Sequence, residues 1–200
     1  TMVTTFACPG PTAMHAFHLA ALAGVDVAKT KVAVVQGLGP VGCYAVMYLH
    51  AIGVETVYAI TAGDNSPREE LAVNLGAKEV FNLTKMGAEA VTKRLQQENG
   101  GLGVDLCFEA SGAPKAVPQG IDILRNRGVY LVPGQYSNSG GIEIQPQLIT
   151  FKALQIIGSM EKLEELTLYN CGISSISALS GMTELRKLNL DNNAIRDLSS

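Results

Sequence analysis

The sequence predicts an α/β fold: a doubly wound parallel sheet, followed by about two copies of a short strand-and-turn repeat. Three observations predict it. Short β-rich runs alternate with helical segments between residues 31 and 158. A glycine-rich turn joins the first of those strands to a helix. Near Met160 the pattern changes to a phrase that recurs at an offset of 22 residues.

Residues 12–23 form a helix with apolar Met14, Phe17, Leu19 and Leu22, ended by Gly24. Residues 31–36 (KVAVVQ) are a strand buried on both faces, since the run is apolar without alternation. Residues 40–52 are helical, with Pro40 in the first turn and Gly53 just past the end. Strands follow at 56–61 (TVYAIT), 79–82, 104–109 (VDLCFE), 128–132 and 153–158. Helices lie between them at 67–75, 88–98 and 116–124. Strands separated by helices through short connections make a parallel sheet.

The repeated phrase is Leu163-x-x-Leu166-x-Leu168-x-x-Cys171-x-Ile173, matched by Leu185-x-x-Leu188-x-Leu190-x-x-Asn193-x-Ile195. Ile176 and Leu198 extend the match. This is the leucine-rich-repeat phrase, a strand and a turn closed at the Cys or Asn position. The alternative, one amphipathic helix over 161–169, leaves the constant offset unexplained. Two repeats are fewer than the three or so that usually bury their own core, so the segment must lean on something else. Residues 1–159 therefore read as one α/β domain and 160–200 as a leucine-rich-repeat segment that offers a surface to a protein partner.

Composition narrows the classes. The chain has 200 residues, 47% apolar and 16% charged, with 21 Gly and no Trp, which suits a close-packed α/β protein. A net charge of -3 gives no footprint for nucleic acid. No apolar run reaches the roughly 18 residues of a membrane span, and the start shows no basic segment followed by an apolar stretch. Cys8, Cys43, Cys107 and Cys171 form no C-x-x-C pair and read as reduced thiols, with the cytoplasm as the expected compartment.

The turn Gly37-Leu38-Gly39-Pro40-Val41-Gly42 carries the chemistry. It follows a buried strand and opens a helix, the context in which G-x-G-x-x-G signals a dinucleotide site. Gly37 permits the tight turn, Gly39 lets the backbone approach the pyrophosphate, and Gly42 lets the helix pack on the strand. The helix start offers amide N–H groups and partial positive charge to phosphates. The expected cofactor is NAD or NADP. An acid ending the second strand would bind the ribose hydroxyls of NAD, but that strand ends on neutral Thr61, with Asp64 and Arg68 just beyond. Arg68 would admit the 2′-phosphate of NADP, whereas Asp64 reaching the ribose would exclude it. The balance leans to NADP.

Longer phrases carry a family resemblance. Cys8 to His15 (CPGPTAMH), GLGPVG, Glu70 to Ala77 (ELAVNLGA), Val104 to Gly112 (VDLCFEASG) and Gly128 to Gly134 (GVYLVPG) stand in order and at matching spacing. On these, residues 1–159 resemble the nucleotide-binding half of zinc-containing medium-chain alcohol dehydrogenases, a Rossmann fold. The resemblance implies hydride transfer between nicotinamide and an alcohol or carbonyl. It also implies cofactor contacts at Thr12, Ala110, Ser111, Gly134 and Gln135, and a family zinc-ligand position at Cys8.

The chain departs from the family at both ends. The N-terminal catalytic domain, with the other zinc ligands and most of the substrate pocket, is missing from these 200 residues. A lone thiolate at Cys8 cannot hold a catalytic zinc, which needs three protein ligands and an open position, so the zinc is expected not to bind here. His15 and His18, three apart on a helix, read as structural. After residue 159 the repeats replace the helix that normally returns to the catalytic domain, so the chain reads as a hybrid, whether natural or engineered. The family often dimerises through the edge strand at 153–158, which implies a homodimer unless the repeats cover that edge. Glu109 reads as a structural polar residue rather than a catalytic acid. Residues 92–98 (TKRLQQE) read as a solvated helix face, and Asp191, Asn192 and Asn193 as turn chemistry rather than a calcium site.

Two functional readings emerge. The chain is the NAD(P)-binding domain of a zinc-type alcohol dehydrogenase, inactive alone. Alternatively it is a non-catalytic module that binds a dinucleotide and docks a protein through its repeats.

Overall fold

The first buried strand organises the rest. In the computed structural model, which describes residues 9–64, 66–133, 140–159, 165–167, 187–189 and 191–192, β1 (Val32–Gln36) is buried at every position. Such a strand must be covered on both faces. It pairs in parallel with β2 (Thr56–Thr61) on one side and β4 (Val104–Glu109) on the other. β3 (Glu79–Asn82) extends the sheet beyond β2, and β5 (Leu124–Val132) then β6 (Gln155–Gly158) extend it beyond β4. The order is β3-β2-β1-β4-β5-β6, parallel throughout. This is the doubly wound Rossmann arrangement that the sequence predicts.

Helices α1 (Pro9–Leu22), α2 (Pro40–Ala51), α3 (Ser66–Asn74), α4 (Leu83–Met86), α5 (Ala88–Gln96), α6 (Ala116–Ile123) and α7 (Pro146–Lys152) connect and cover the strands. Alternate residues of each strand enter opposite cores. Val35, Leu106 and Phe108 pack on one face with Phe17 of α1 and Leu49 of α2. There Phe17 stacks on Phe108 at 5.0 Å and on Tyr48 at 4.6 Å between ring centroids. Val34, Tyr58 and Tyr130 face the other core with Val91 and Leu95 of α5 and Ile123 of α6. Each fully buried aliphatic side chain here contributes about 1.5–3 kcal/mol relative to exposure.

Several boundaries differ from the sequence expectation. The helix expected over 88–98 stops at Gln96, and a separate turn over Glu98–Gly101 follows, with Asn99 left-handed at φ 53. The fifth strand begins at Leu124, and its pairing with β4 slips between Val104 and Leu106, so Arg127 adopts φ 59. α4 and α7 are additional. α4 is a single turn capped by the Asn82 side chain, which accepts the N–H groups of Thr84 and Lys85. α7 is anchored by Lys152, whose Nζ donates to the carbonyls of Ile121, Asp122 and Leu124 at 2.9–3.0 Å. Those carbonyls belong to the last turn of α6 and the residue that caps it, where a cation is favourable.

The chain divides into two compact units, Thr1–Ser159 and Met160–Ser200. In the second, β7 (Glu165–Thr167) pairs in parallel with β8 (Lys187–Asn189). Their partners are Glu165 with Lys187, Leu166 with Leu188 and Thr167 with Asn189, the same 22-residue offset as the sequence repeat. Asp191 donates its N–H to Oδ1 of Asn189 at 2.9 Å, and Asn192 has φ 58. Both are turn features; Asn193 lies outside the described residues. No helix is long and apolar enough to cross a membrane among the described residues.

Candidate dinucleotide-binding site

In a sheet of this order the crevice lies at the carboxyl ends of β1 and β4, where the winding reverses. The glycine turn sits there. Gly37 continues the pairing of β1 by donating its N–H to the Ile60 carbonyl at 2.8 Å, and then turns with φ 92. A β-carbon on Gly37 would lie 2.6 Å from Cα of Ser111. A β-carbon on Gly42 would overlap the carbonyl oxygen of Gly37 and touch Val35. Both glycines are thus required by neighbouring protein atoms. Gly39 differs: a β-carbon there would meet nothing within 4 Å. Leu38 is buried beneath the turn, Pro40 opens α2 and Val41 is half-buried. α2 is closed by the N–H of Cys43 donating to the Gly39 carbonyl at 2.9 Å. The result is a glycine backbone with open space above it at the start of a 12-residue helix, a cradle that fits a pyrophosphate.

The loop after β2 lies beside it. Thr61 is buried, and no acid ends the strand. Gly63 turns with φ 77 and is held from β3 and α4. Its carbonyl accepts Nδ2 of Asn82 at 2.8 Å, and its N–H donates to Oγ1 of Thr84 at 2.8 Å. Asn82 also donates to Oε1 of Glu69 at 2.6 Å. That hydrogen bond, with Lys85, holds the Glu69 carboxyl below its usual value against a smaller effect of burial. Asp64 and Arg68 are exposed. Asp64 accepts the Ser66 hydroxyl at 3.5 Å. Arg68 stands within electrostatic reach of α2: burial raises the Cys43 thiol above its usual value, and the Arg68 charge opposes it.

The β4 side closes the crevice. Ala110 is half-buried and donates its N–H to the Gln36 carbonyl at 2.8 Å. Ser111 is exposed. Glu109 is fully buried and accepts the N–H groups of Ser111 and Gly112 at 2.7 and 3.1 Å. It is structurally engaged, as expected. The structure thus brings together the glycine turn, Ala110 and Ser111. Thr12 is half-buried on α1, whose Gly10 abuts the Tyr44 ring of α2. Gly134, Gln135 and Cys8 lie outside the described residues. Among the described residues no group of three His, Cys, Asp or Glu is placed to hold a metal ion, so these residues supply no zinc ligand set.

Gln36 and Asn82, which the sequence did not single out, share one signal with Glu109. β1, β3 and β4 are rich in apolar residues yet end on Gln36, Asn82 and Glu109, all buried. Oε1 of Gln36 accepts Tyr130 Oη at 3.2 Å and the Cys107 thiol at 3.3 Å, while its Nε2 donates to the Ala116 carbonyl at 2.9 Å. A polar residue closing a buried strand marks a loop that must be held.

Known proteins agree with this architecture. Residues 40–169 match the family model described as zinc-binding dehydrogenase, and residues 161–200 match that of leucine-rich repeats in two copies. The 5-exo-hydroxycamphor dehydrogenase of Pseudomonas putida is 34% identical over 153 residues, covering 76% of this chain and 40% of that protein. An alcohol dehydrogenase of Thermotoga maritima superposes with a TM-score of 0.68 at 29% identity, over 77% of this chain and 41% of that one. A zinc-binding dehydrogenase from Sinorhizobium meliloti, solved with NADP bound, gives 0.65 at 25% identity, over 78% and 43%. The chain spans about two-fifths of the length of these relatives.

Proposed function

The chain belongs to the zinc-binding dehydrogenase family, and from that premise we propose that it holds a nicotinamide dinucleotide, NADP in preference to NAD. The full-length enzyme would exchange a hydride between that cofactor and an alcohol or carbonyl. The observation that carries the reading is the contrast within the turn: Gly37 and Gly42 are packed against protein, while the space at Gly39 is open.

When bound, the dinucleotide supplies the hydride-carrying ring. The residues of this chain bind and orient it. The amides of the first turn of α2 and the open backbone at Gly39 take the pyrophosphate. Thr61 leaves the ribose unhindered by a carboxylate, and Arg68 meets the 2′-phosphate, with Asp64 at the rim. Ala110 and Ser111 line the opposite wall, and Thr12 lies against the nicotinamide; the family resemblance adds Gly134 and Gln135 as cofactor contacts. The preference for NADP rests on Thr61 and Arg68, and the NADP held by the Sinorhizobium neighbour agrees with it. Cys8 is the family's zinc-ligand position, but a single thiolate does not make the three-ligand site that a catalytic zinc needs, and the 200-residue chain assayed alone is expected to bind without turnover. Calorimetric titration tests this: NADP should bind more tightly than NAD, and equal affinity or none would sink the reading.

A second reading is favoured by the regular pairing of β7 with β8. The repeats would dock a protein partner while the first unit holds the dinucleotide. Deleting residues 160–200 should abolish such binding and leave dinucleotide affinity intact. An unchanged set of interactions would remove the repeats from the function.

A further inference from the structure

The carboxylate of Glu109 closes β4 without reaching solvent. A buried carboxylate is stable only when hydrogen-bond donors fill its lone pairs. Here the donors come from the loop that follows. The N–H groups of Ser111 and Gly112 point at Oε1, and the Ser111 hydroxyl donates to the same atom. The Ser111 hydroxyl oxygen in turn accepts the Ala113 N–H at 3.1 Å. One acid therefore gathers three successive residues into a fixed turn. That turn lies against the glycine loop, since Gly37 has no room for a β-carbon beside Cα of Ser111. Carboxylate, loop and first glycine form one stack at the point where the winding reverses.

We propose that Glu109 is a positioning residue for the dinucleotide: it holds the 110–112 loop at a fixed distance from the glycine turn and so sets the affinity for the nicotinamide half. A doubly wound sheet has two mononucleotide-binding halves. The adenosine half lies over β1–β3 and needs only the glycine turn and the loop after β2. The other half lies over β4–β6, where the loop held by Glu109 is the wall. The inference rests on the dinucleotide reading above. It predicts that the two halves of the ligand respond differently when the carboxylate is lost.

The test titrates the full chain and its Glu109→Leu and Glu109→Gln variants with NADP and with ADP, which carries adenosine and pyrophosphate but no nicotinamide. Glu109→Leu is expected to weaken NADP about tenfold or more, because it removes hydrogen bonds to a charged acceptor. ADP should stay within about twofold, as for an untouched site. Glu109→Gln keeps one acceptor oxygen and should recover most of the loss. Amide hydrogen exchange at Ser111 and Gly112 should accelerate in the Leu variant while that at Val34 and Leu106 does not. Should the Leu variant fail to fold, the Gln variant decides alone, with an expected loss of about threefold confined to NADP. Equal losses for both ligands, or none, overturn the role of Glu109. A wild-type chain that binds neither probe overturns the dinucleotide reading itself, and the proposal with it.

Discussion

Two neighbouring loops at the carboxyl edge of the sheet are shaped by opposite means. The turn after β1 is shaped from within, by the absence of side chains at Gly37, Gly39 and Gly42. The loop after β2 is shaped from outside: Gly63 is gripped by Asn82 and Thr84, about twenty residues further along the chain. The difference teaches that a binding crevice needs two kinds of order. Backbone that must approach a ligand closely is made by removing atoms. A loop that must only be held at a given place is made by adding polar partners from a neighbouring strand.

The contrast is sharpest inside the glycine turn. Gly42→Ala sets a methyl against the Gly37 carbonyl and should cost about 3 kcal/mol of stability, the upper range for overpacking. Denaturant unfolding would reveal it, and an unchanged midpoint would mean that α2 is free to move off the strand. The β-carbon of Gly39→Val has no neighbour within 4 Å, so unfolding should shift by no more than about 0.5 kcal/mol. Dinucleotide affinity should nonetheless fall at least a hundredfold, about 2.7 kcal/mol. Retained affinity in this variant would show that the pyrophosphate does not approach Gly39.

The outer loop breaks differently. Asn82→Ala leaves the Gly63 carbonyl and the α4 amides without their partner, at a cost of about 2 kcal/mol. It should also blur discrimination between NADP and NAD, measured as the ratio of their dissociation constants. A stable variant with the wild-type ratio would show that the grip on Gly63 is dispensable. Arg68→Ala should weaken NADP about tenfold, or about 1.4 kcal/mol, and leave NAD unchanged; equal effects on both would remove Arg68 from the 2′-phosphate.

The amino-terminal edge of the sheet provides the smallest effect and a control. Asp105 accepts the Val32 N–H at 2.8 Å and Nδ2 of Asn99 at 3.2 Å, and pairs with Arg125. Burial pushes its carboxyl up, but Arg125 and these donors outweigh burial and hold it below the usual aspartate value. A depressed folded-state value gives stability that is present above the unfolded value and lost as pH falls through the folded one. Unfolding midpoints should therefore drop below about pH 4, and Asp105→Asn should flatten that limb without altering dinucleotide affinity at neutral pH. An acid limb unchanged by the substitution would refute the assignment.

How far the sequence reaches follows from where each feature is encoded. β1 and β2 were legible because both are wholly buried and their apolar runs say so. The glycine turn was legible because its spacing is contained in six residues, although the contact that constrains Gly37 comes from Ser111. The repeat offset was legible as text and reappears as strand register. α7 was not legible: Pro146 supplies a helix start, but the helix has no buried residue and so no apolar period to read. The irregular start of β5 was also hidden, because Arg127 and the slip beside Val104 answer to the neighbouring strand.

The sequence by itself determined the parallel α/β class, the glycine turn, the family and the two-part organisation of the chain, since periodicity, local sterics and contiguous phrases are properties of short segments. Only the tertiary structure decided which glycine faces protein and which faces open space. It alone decided what Gln36, Asn82 and Glu109 hold, and that the loop after β4 rests on the loop after β1. The Asn82–Gly63, Gly37–Ser111 and Gln36–Tyr130 contacts join residues 19, 74 and 94 positions apart, and hydrogen bonds and close contacts over such separations exist only once the sheet has brought its carboxyl ends together.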